Sequence, residues 1–333
     1  MLPEFKNKIL LAPMEDVTEP PFRLIAKRLG ADIVYTEFIS SEGLIRDARK
    51  AKAKLHIYDE ERPVGVQIFG ASEEVMQQAA EICESANADF IDINCGCWVK
   101  DVAMRGAGAA LLKDLDKMKS IAESVMRSVT LPVTLKTRLG WDENSIVIID
   151  IAKMLEEIGI KALTVHCRLR SQGNKGEADW SWIKKIKDAG VKMPIILNGN
   201  VKSPEDVVTA FKNYEPDAVM IGQAAIMNPW IFNQAKSLMN EGQYIEPTIE
   251  EKINTCITHL KLCCELKGEK YGTLEFRKFY SGYLRNLPDI TRFRMELMAY
   301  TELEPIVKKL GDFKKRSIEI GISERKKKEL EIN

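Results

Sequence analysis

Eight short runs rich in branched side chains recur along this 333-residue chain, and longer stretches with helical apolar spacing separate them. That alternation is the mark of βα units and a parallel sheet. The runs are Ile9–Pro13, Ile33–Glu37, Val64–Phe69, Phe90–Asn94, Val133–Thr137, Ala162–His166, Ile195–Asn198 and Ala218–Ile221. They are nearly continuously apolar, as strands covered on both faces are. Helices are predicted over Glu19–Leu29, Glu73–Asn87, Leu115–Val129, Ser145–Ile158, Trp182–Ala189, Pro204–Lys212 and Pro229–Asn240. Periodicity alone admits an open doubly wound sheet or a closed barrel. The strand ends separate the two, because most carry a polar or chemically useful residue: Met14 and Glu15, Glu37, Gln67, Asn94, Lys136, His166, Asn198, then Gly222 and Gln223. A barrel gathers all eight carboxyl ends on one face, whereas an open sheet spreads them along a line. The sequence therefore predicts an α/β chain with a (β/α)8 TIM barrel over residues 1–243.

A barrel takes roughly 250 residues, which leaves room for one small addition. After Gly242 strand signals cease, and Glu246-Pro247-Thr248 reads as a linker and helix start. Helical spacing follows over Ile249–Leu266, Leu274–Leu287, Arg292–Tyr300 and Leu303–Leu310, predicting an all-α four-helix domain at 247–313. Residues 314–333 read as a basic, flexible tail. Lysine plus arginine equal aspartate plus glutamate at 49 each, a balance that neither demands nor excludes a nucleic-acid partner. Seven irregularly spaced cysteines suggest no disulfide framework, so a reducing compartment is expected. With no signal-like apolar segment and no run near the roughly 18 apolar residues of a membrane span, the chain reads as cytoplasmic and monomeric, without a membrane partner.

Several strand ends carry reactive chemistry. Asn94-Cys95-Gly96-Cys97-Trp98 leaves a buried strand and turns at glycine with a thiol on the turn. A neutral thiol, with a reference pKa of about 8.5, can donate a proton at pH 7. The two cysteines could instead be half a metal site, a redox pair or core residues, although no other pair has zinc-type spacing. Lys136 can offset negative charge on a ring or phosphate, or pair with a strand-end carboxylate. His166 is a core histidine or a site residue. Asn198-Gly199-Asn200 and Gly222-Gln223 close strands seven and eight, where barrels recurrently cradle phosphate. Basic residues cluster at Arg46–Lys54, at Arg168, Arg170 and Lys175, and through the helical domain, where Phe276, Phe279, Tyr280, Tyr283 and Phe293 interleave with them. Such a domain suits phosphate contacts, and its aromatics suit either a base or a core.

Taken together the chain resembles the tRNA-dihydrouridine synthase family, its bacterial branch in particular. The resemblance is carried by Ala12-Pro13-Met14 with Pro21-Phe22-Arg23, by Asp92-Ile93-Asn94 with Gly96-Cys97, and by Lys136-Thr137-Arg138-Leu139-Gly140-Trp141. Further carriers are His166 with Arg168, Asn198-Gly199, Met220-Ile221-Gly222 and Asn228-Pro229-Trp230. It implies an FMN across the barrel mouth, with NADPH as reductant and tRNA as partner. Pro13, Met14 and Glu15 would border the flavin ring, Gln67 and Lys136 its polar edge, and His166 the ribityl side. Asn198, Gly199, Asn200, Gly222 and Gln223 would take the phosphate. Cys97 would be the catalytic proton donor, with Asn94 and Arg168 holding the uracil and no metal involved.

Some positions depart from the family pattern. Trp98 stands where the family has proline, Gln223 replaces an arginine, and Asn200 replaces an aspartate, while Cys167 and Leu169 flank Arg168 in place of glycine and threonine. Two rival expectations follow: a flavin-dependent reductase of a free pyrimidine, and a degenerate RNA-binding homologue with weak or no flavin.

Overall fold

The computed structural model describes residues 3–287 and 290–332, with side chains described as far as residue 319. Its strands are β1 (Lys8–Leu11), β2 (Val34–Tyr35), β3 (Ile39–Ser40), β4 (Val64–Phe69), β5 (Phe90–Cys95), β6 (Val133–Arg138), β7 (Leu163–His166), β8 (Ile195–Asn198) and β9 (Ala218–Ile221). They run parallel in the order β1-β9-β8-β7-β6-β5-β4-β2, with β3 pairing β4. A parallel bridge between Leu10 and Ile33 returns β2 to β1, so the sheet closes into the expected barrel. The predicted strand Ile33–Glu37 is split. The Thr36 hydroxyl donates to the Glu37 carbonyl at 2.8 Å, and the Glu37 carboxylate accepts the Asp16 N–H at 2.7 Å. These polar contacts turn the chain away from ladder pairing before it resumes at β3.

Successive residues of a strand point to opposite faces, and this period of two builds the site. Ile9, Leu11, Val66, Ile91, Ile93, Leu135, Val165, Leu197 and Val219 pack outward in one core with the helices. Leu10, Tyr35, Phe90, Ala162, Ile196 and Met220 fill the inside. Gly65 makes room for this filling, since a Cβ there would stand 2.5 Å from the Phe90 ring. Further along the strands the inner surface turns polar, with Gln67 on β4, Asp92 and Asn94 on β5, Thr134 and Lys136 on β6, Thr164 and His166 on β7, and Asn198 on β8. The amino-terminal half of the barrel is thus an apolar floor, and the carboxyl-terminal half a polar mouth.

Beyond the barrel come helices Ile249–Lys267, Glu269–Phe276, Tyr280–Tyr283, Ile290–Leu297 and Leu303–Ile332. Thr248 caps the first, accepting from the Glu251 N–H while the Glu251 carboxylate accepts from Thr248. The helix predicted over Leu274–Leu287 instead begins at Glu269 and breaks into a 3-10 turn at Arg277–Phe279. Gly272 explains the early start, because its lack of a side chain lets this helix press on the backbone of Cys263 and Cys264. The last helix continues through the segment expected to be a flexible tail; the side chains of Arg325, Lys326, Lys327 and Lys328 lie outside the described residues. Phe276, Phe279, Tyr280, Tyr283 and Phe293 are buried, so these aromatics form core rather than a face for bases.

The helical region docks on the β1–β9 side of the barrel. Phe279 stacks on Phe22 at 5.0 Å, and Lys278 donates to the Asp16 carbonyl. Gly282 abuts the Ile226 carbonyl so closely that any side chain would collide with it.

Candidate active site

A cavity of about 660 Å³ opens at the carboxyl ends of the strands. That is the size of a small-molecule or cofactor pocket. Pro13, Met14 and Glu15 line it from the β1 end, Gln67 and Asn94 from β4 and β5, and Cys97 from the turn beyond. Lys136, His166 and Arg168 line it from β6 and β7. Asn198, Gly199 and Asn200 line it from β8, and Gly222 and Gln223 from β9. The residues expected to hold a cofactor, a base or the reacting proton therefore line one space, whereas Glu37 and Cys95 do not.

The Cys97 turn is held by Asn94, Gly108 and Ala109. The Asn94 side-chain oxygen accepts the N–H groups of Gly96 at 3.0 Å and Cys97 at 2.9 Å. Asn94 in turn donates to Gln67 at 2.8 Å, and Gln67 donates to Asp92 at 2.6 Å. The Cys97 carbonyl accepts the Ala109 N–H at 3.0 Å. Gly108 packs there, where a Cβ would stand 3.1 Å from the Cys97 Cβ. Loss of hydration pushes the Cys97 thiol above its ordinary range, so it is a neutral S–H at pH 7. Cys95 points the other way, into the outer core. β5 ends at Cys95 and the chain turns at Gly96 before Cys97, so the two thiols face different surroundings and both are free, which closes the redox-pair reading.

The Lys136 ammonium donates to the neutral Asn198 amide oxygen at 2.9 Å, and Asn198 donates to the Met220 carbonyl at 2.9 Å. Lys136 thus does not pair with a strand-end carboxylate. Scarcity of water in the mouth, and Arg138 nearby, bring its ammonium down to about 8. A cation in such a place favours a negative partner. The same loss of hydration holds His166 well below the usual imidazole range, so its ring is neutral. Its Nε2 lies 3.0 Å from Arg168. Because a guanidinium can only donate, Nε2 accepts and the ring proton sits on Nδ1. Arg168 also donates to the Gly176 carbonyl at 2.8 Å and to the Asn200 side-chain oxygen. These bonds place Arg168 on the His166–Asn200 side of the mouth and engage it with neither Asn94 nor Cys97.

Gly199 has φ +107° and sits where a Cβ would stand 2.7 Å from His166. The Trp180 indole fixes its carbonyl at 2.7 Å. Glycines at both strand ends, beside Asn200 and Gln223, leave backbone N–H groups open to an anion. The cavity therefore suits an elongated ligand with an electron-rich edge near Lys136 and an anionic end near β8 and β9.

Two features escaped the sequence reading. Arg138, two residues beyond Lys136 and thus on the same inner face, donates to the Gly96 carbonyl at 2.8 Å, to Leu169 at 3.0 Å and to Gly173 at 2.7 Å. It ties the Cys97 turn to the loop after β7, and the period of two was the signal for it. Arg23 forms a buried ion pair with Glu61 at 2.7 Å, and donates to the Thr18 carbonyl at 2.9 Å and the His56 carbonyl at 2.7 Å. Thr18 caps the Met14 N–H at 2.9 Å, so this pair secures the loop carrying Met14. Nearby, the carboxylates of Glu15, Asp16 and Glu37 converge. The Lys54 ammonium lies 2.5 Å from Glu15 and 3.5 Å from Glu37, and supplies the local positive charge.

An inward-facing acid, a lysine and two glycine-bearing ends at the mouth of a parallel barrel define a (β/α)8 enzyme with its site at the carboxyl-terminal face. The model of the dihydrouridine synthase (Dus) family matches residues 10–317. The chain belongs to the dihydrouridine synthase family. It is 37% identical to tRNA-dihydrouridine synthase B of Pasteurella multocida, over 90% of each chain. It is 35% identical to a probable tRNA-dihydrouridine synthase of Rickettsia bellii, over 87% of this chain and 90% of that one. Among solved structures, an old yellow enzyme homologue from Zymomonas mobilis aligns with TM-score 0.51 and 16% identity, covering 74% of this chain and 92% of its own. A morphinone reductase aligns with TM-score 0.52 and 13% identity, over 72% and 87%. These two likenesses concern the barrel fold alone. No helix among the described residues is long and apolar enough to cross a membrane.

Proposed function

We propose that this chain reduces the C5–C6 double bond of uridines in tRNA, with FMN as bound cofactor, NADPH as reductant and Cys97 as proton donor. The observation that carries this reading is the convergence of Cys97, Lys136 and the Gly199 and Gly222 strand ends on one cavity. The names borne by relatives at 35–37% identity over most of their length support tRNA as the partner.

FMN, when bound and reduced, supplies the hydride to carbon 6. The uracil double bond is conjugated to a carbonyl, so hydride addition makes an enolate that needs an acid near carbon 5. Cys97 is that acid, because its thiol is protonated at neutral pH and its turn is fixed by Asn94. The remaining N–H of the Asn94 amide holds the base. Gln67 and Lys136 hold the electron-rich edge of the cofactor, and Pro13, Met14 and Glu15 border its ring. Asn198, Gly199, Asn200, Gly222 and Gln223 cradle its phosphate, with His166 and Arg168 at the ribityl side. A uridine in folded RNA must leave its stack to reach Cys97, and the accessory helices position the RNA at the mouth.

The reading is tested by mapping dihydrouridine in tRNA from cells with and without the gene. Loss of specific dihydrouridines, restored by the parent gene, is expected; an unchanged map overturns it. Gln223 gives a second test. Its neutral amide offers the phosphate less than a guanidinium, since charge-assisted hydrogen bonds are about twice as strong. Gln223→Arg is expected to lower the FMN dissociation constant roughly ten-fold, as read by flavin fluorescence. An unchanged constant would move the phosphate away from β9.

A further inference from the structure

Trp98 follows Cys97 directly and lines the same cavity, yet 41% of it is exposed. One face of its ring is covered by the loop after β7. Gly173 lies against it, where a Cβ would stand 3.4 Å from the indole, an ordinary van der Waals contact. The rest of the side chain carries that exposure. Val99, which lines the same cavity, extends the apolar surface at 42% exposed. Exposed apolar groups gathered at a cavity mouth mark a contact site more often than chance.

The same rim is provided with cations. Lys113 and Arg170 sit over the Trp141 ring, at 3.7 and 4.4 Å from its centroid. The Gly173 N–H bonds the Arg170 carbonyl at 3.0 Å, joining this pair to the loop under Trp98. In the strand order, β6 lies diametrically across the barrel from β1, the side on which the accessory helices dock. The mouth therefore has the helices on one bank and this aromatic, cationic rim on the other.

We propose that Trp98 is a stacking platform for a nucleobase flanking the uridine that enters the cavity, with the Lys113–Arg170 rim holding adjacent phosphates. The proposal rests on the RNA reading of the site given above. Extruding a uridine leaves its neighbours without a stacking partner, and a rigid indole beside the entry point replaces that partner. Every base has a π face, so such a platform tolerates any sequence while cations follow the backbone. Alternation of aromatic and cationic groups fits a polynucleotide better than an apolar protein surface.

The test is binding of labelled, unmodified tRNA to the full FMN-loaded protein, followed by anisotropy, beside dihydrouridine formation. Trp98→Ala is expected to weaken tRNA binding on the order of ten-fold, and Trp98→Phe is expected to restore most of it. Lys113→Ala is expected to lower the slope of log affinity against log salt by about one. Parental affinity in Trp98→Ala, with or without slower turnover, overturns the platform, and an unchanged salt slope in Lys113→Ala overturns the rim. Failure of the parent protein to form any dihydrouridine sinks the site reading itself, a separate result.

Discussion

Cys97→Ala is expected to lower dihydrouridine formation by about two to four orders of magnitude, the usual contribution of a positioned general acid. Flavin content and tRNA affinity should stay close to the parent's, because the Asn94 contacts run to backbone N–H groups that alanine retains. Single-turnover oxidation of the reduced enzyme by tRNA, followed at the flavin absorption, measures the step directly. Equal rates in variant and parent would remove Cys97 from its role. The pH profile carries a further sign. The Cys97 thiol is raised, so it remains a donor through neutral and mildly basic pH. Lys136 is lowered to about 8, so its charge is lost as pH rises through that value. An electron-rich cofactor beside the ammonium raises that value again, so FMN affinity should fall as pH rises above about 8, and Lys136→Met should flatten that dependence.

Glu61→Ala carries the second large effect, on stability. Removing Glu61 leaves the Arg23 guanidinium, buried with it, without a counter-charge. Breaking such a pair costs about 3–5 kcal/mol, a large share of the roughly 5–15 kcal/mol that holds a domain folded. For a barrel of this size the melting temperature should fall by roughly 10 °C. Because Arg23 also holds the Thr18 carbonyl, the Met14 loop should loosen and flavin retention should drop with it. A melting curve that overlays the parent's would show the pair to be dispensable.

The strands were legible because eight apolar runs needed cover on both faces, and Val64–Phe69 is recovered residue for residue. The site was legible because strand ends converge in a closed sheet, so Gln67, Lys136 and Asn198 could be assigned to one space before any distance was known. What escaped depends on contacts distant in sequence. Glu37 leaves its strand for the backbone of Asp16, and the break at Arg277–Phe279 follows from one helix pressing on another through Gly272. Arg168 is expected beside Asn94 on the base, and its bonds run instead to His166, Gly176 and Asn200, a choice that loop geometry makes. The aromatic series Phe276 to Tyr283 had the same local pattern whether it met RNA or its own core.

The packed floor of the barrel governs traffic. Leu10, Tyr35, Phe90, Ile196 and Met220 fill the far end, so among the described residues a bound ring is reached through the doorway at the strands' carboxyl ends. On the proposed reading, the nicotinamide that delivers electrons and the uracil that receives them must occupy that doorway in succession. Each RNA has to depart before the next charging event, which makes the enzyme a shuttle between two visitors that never meet.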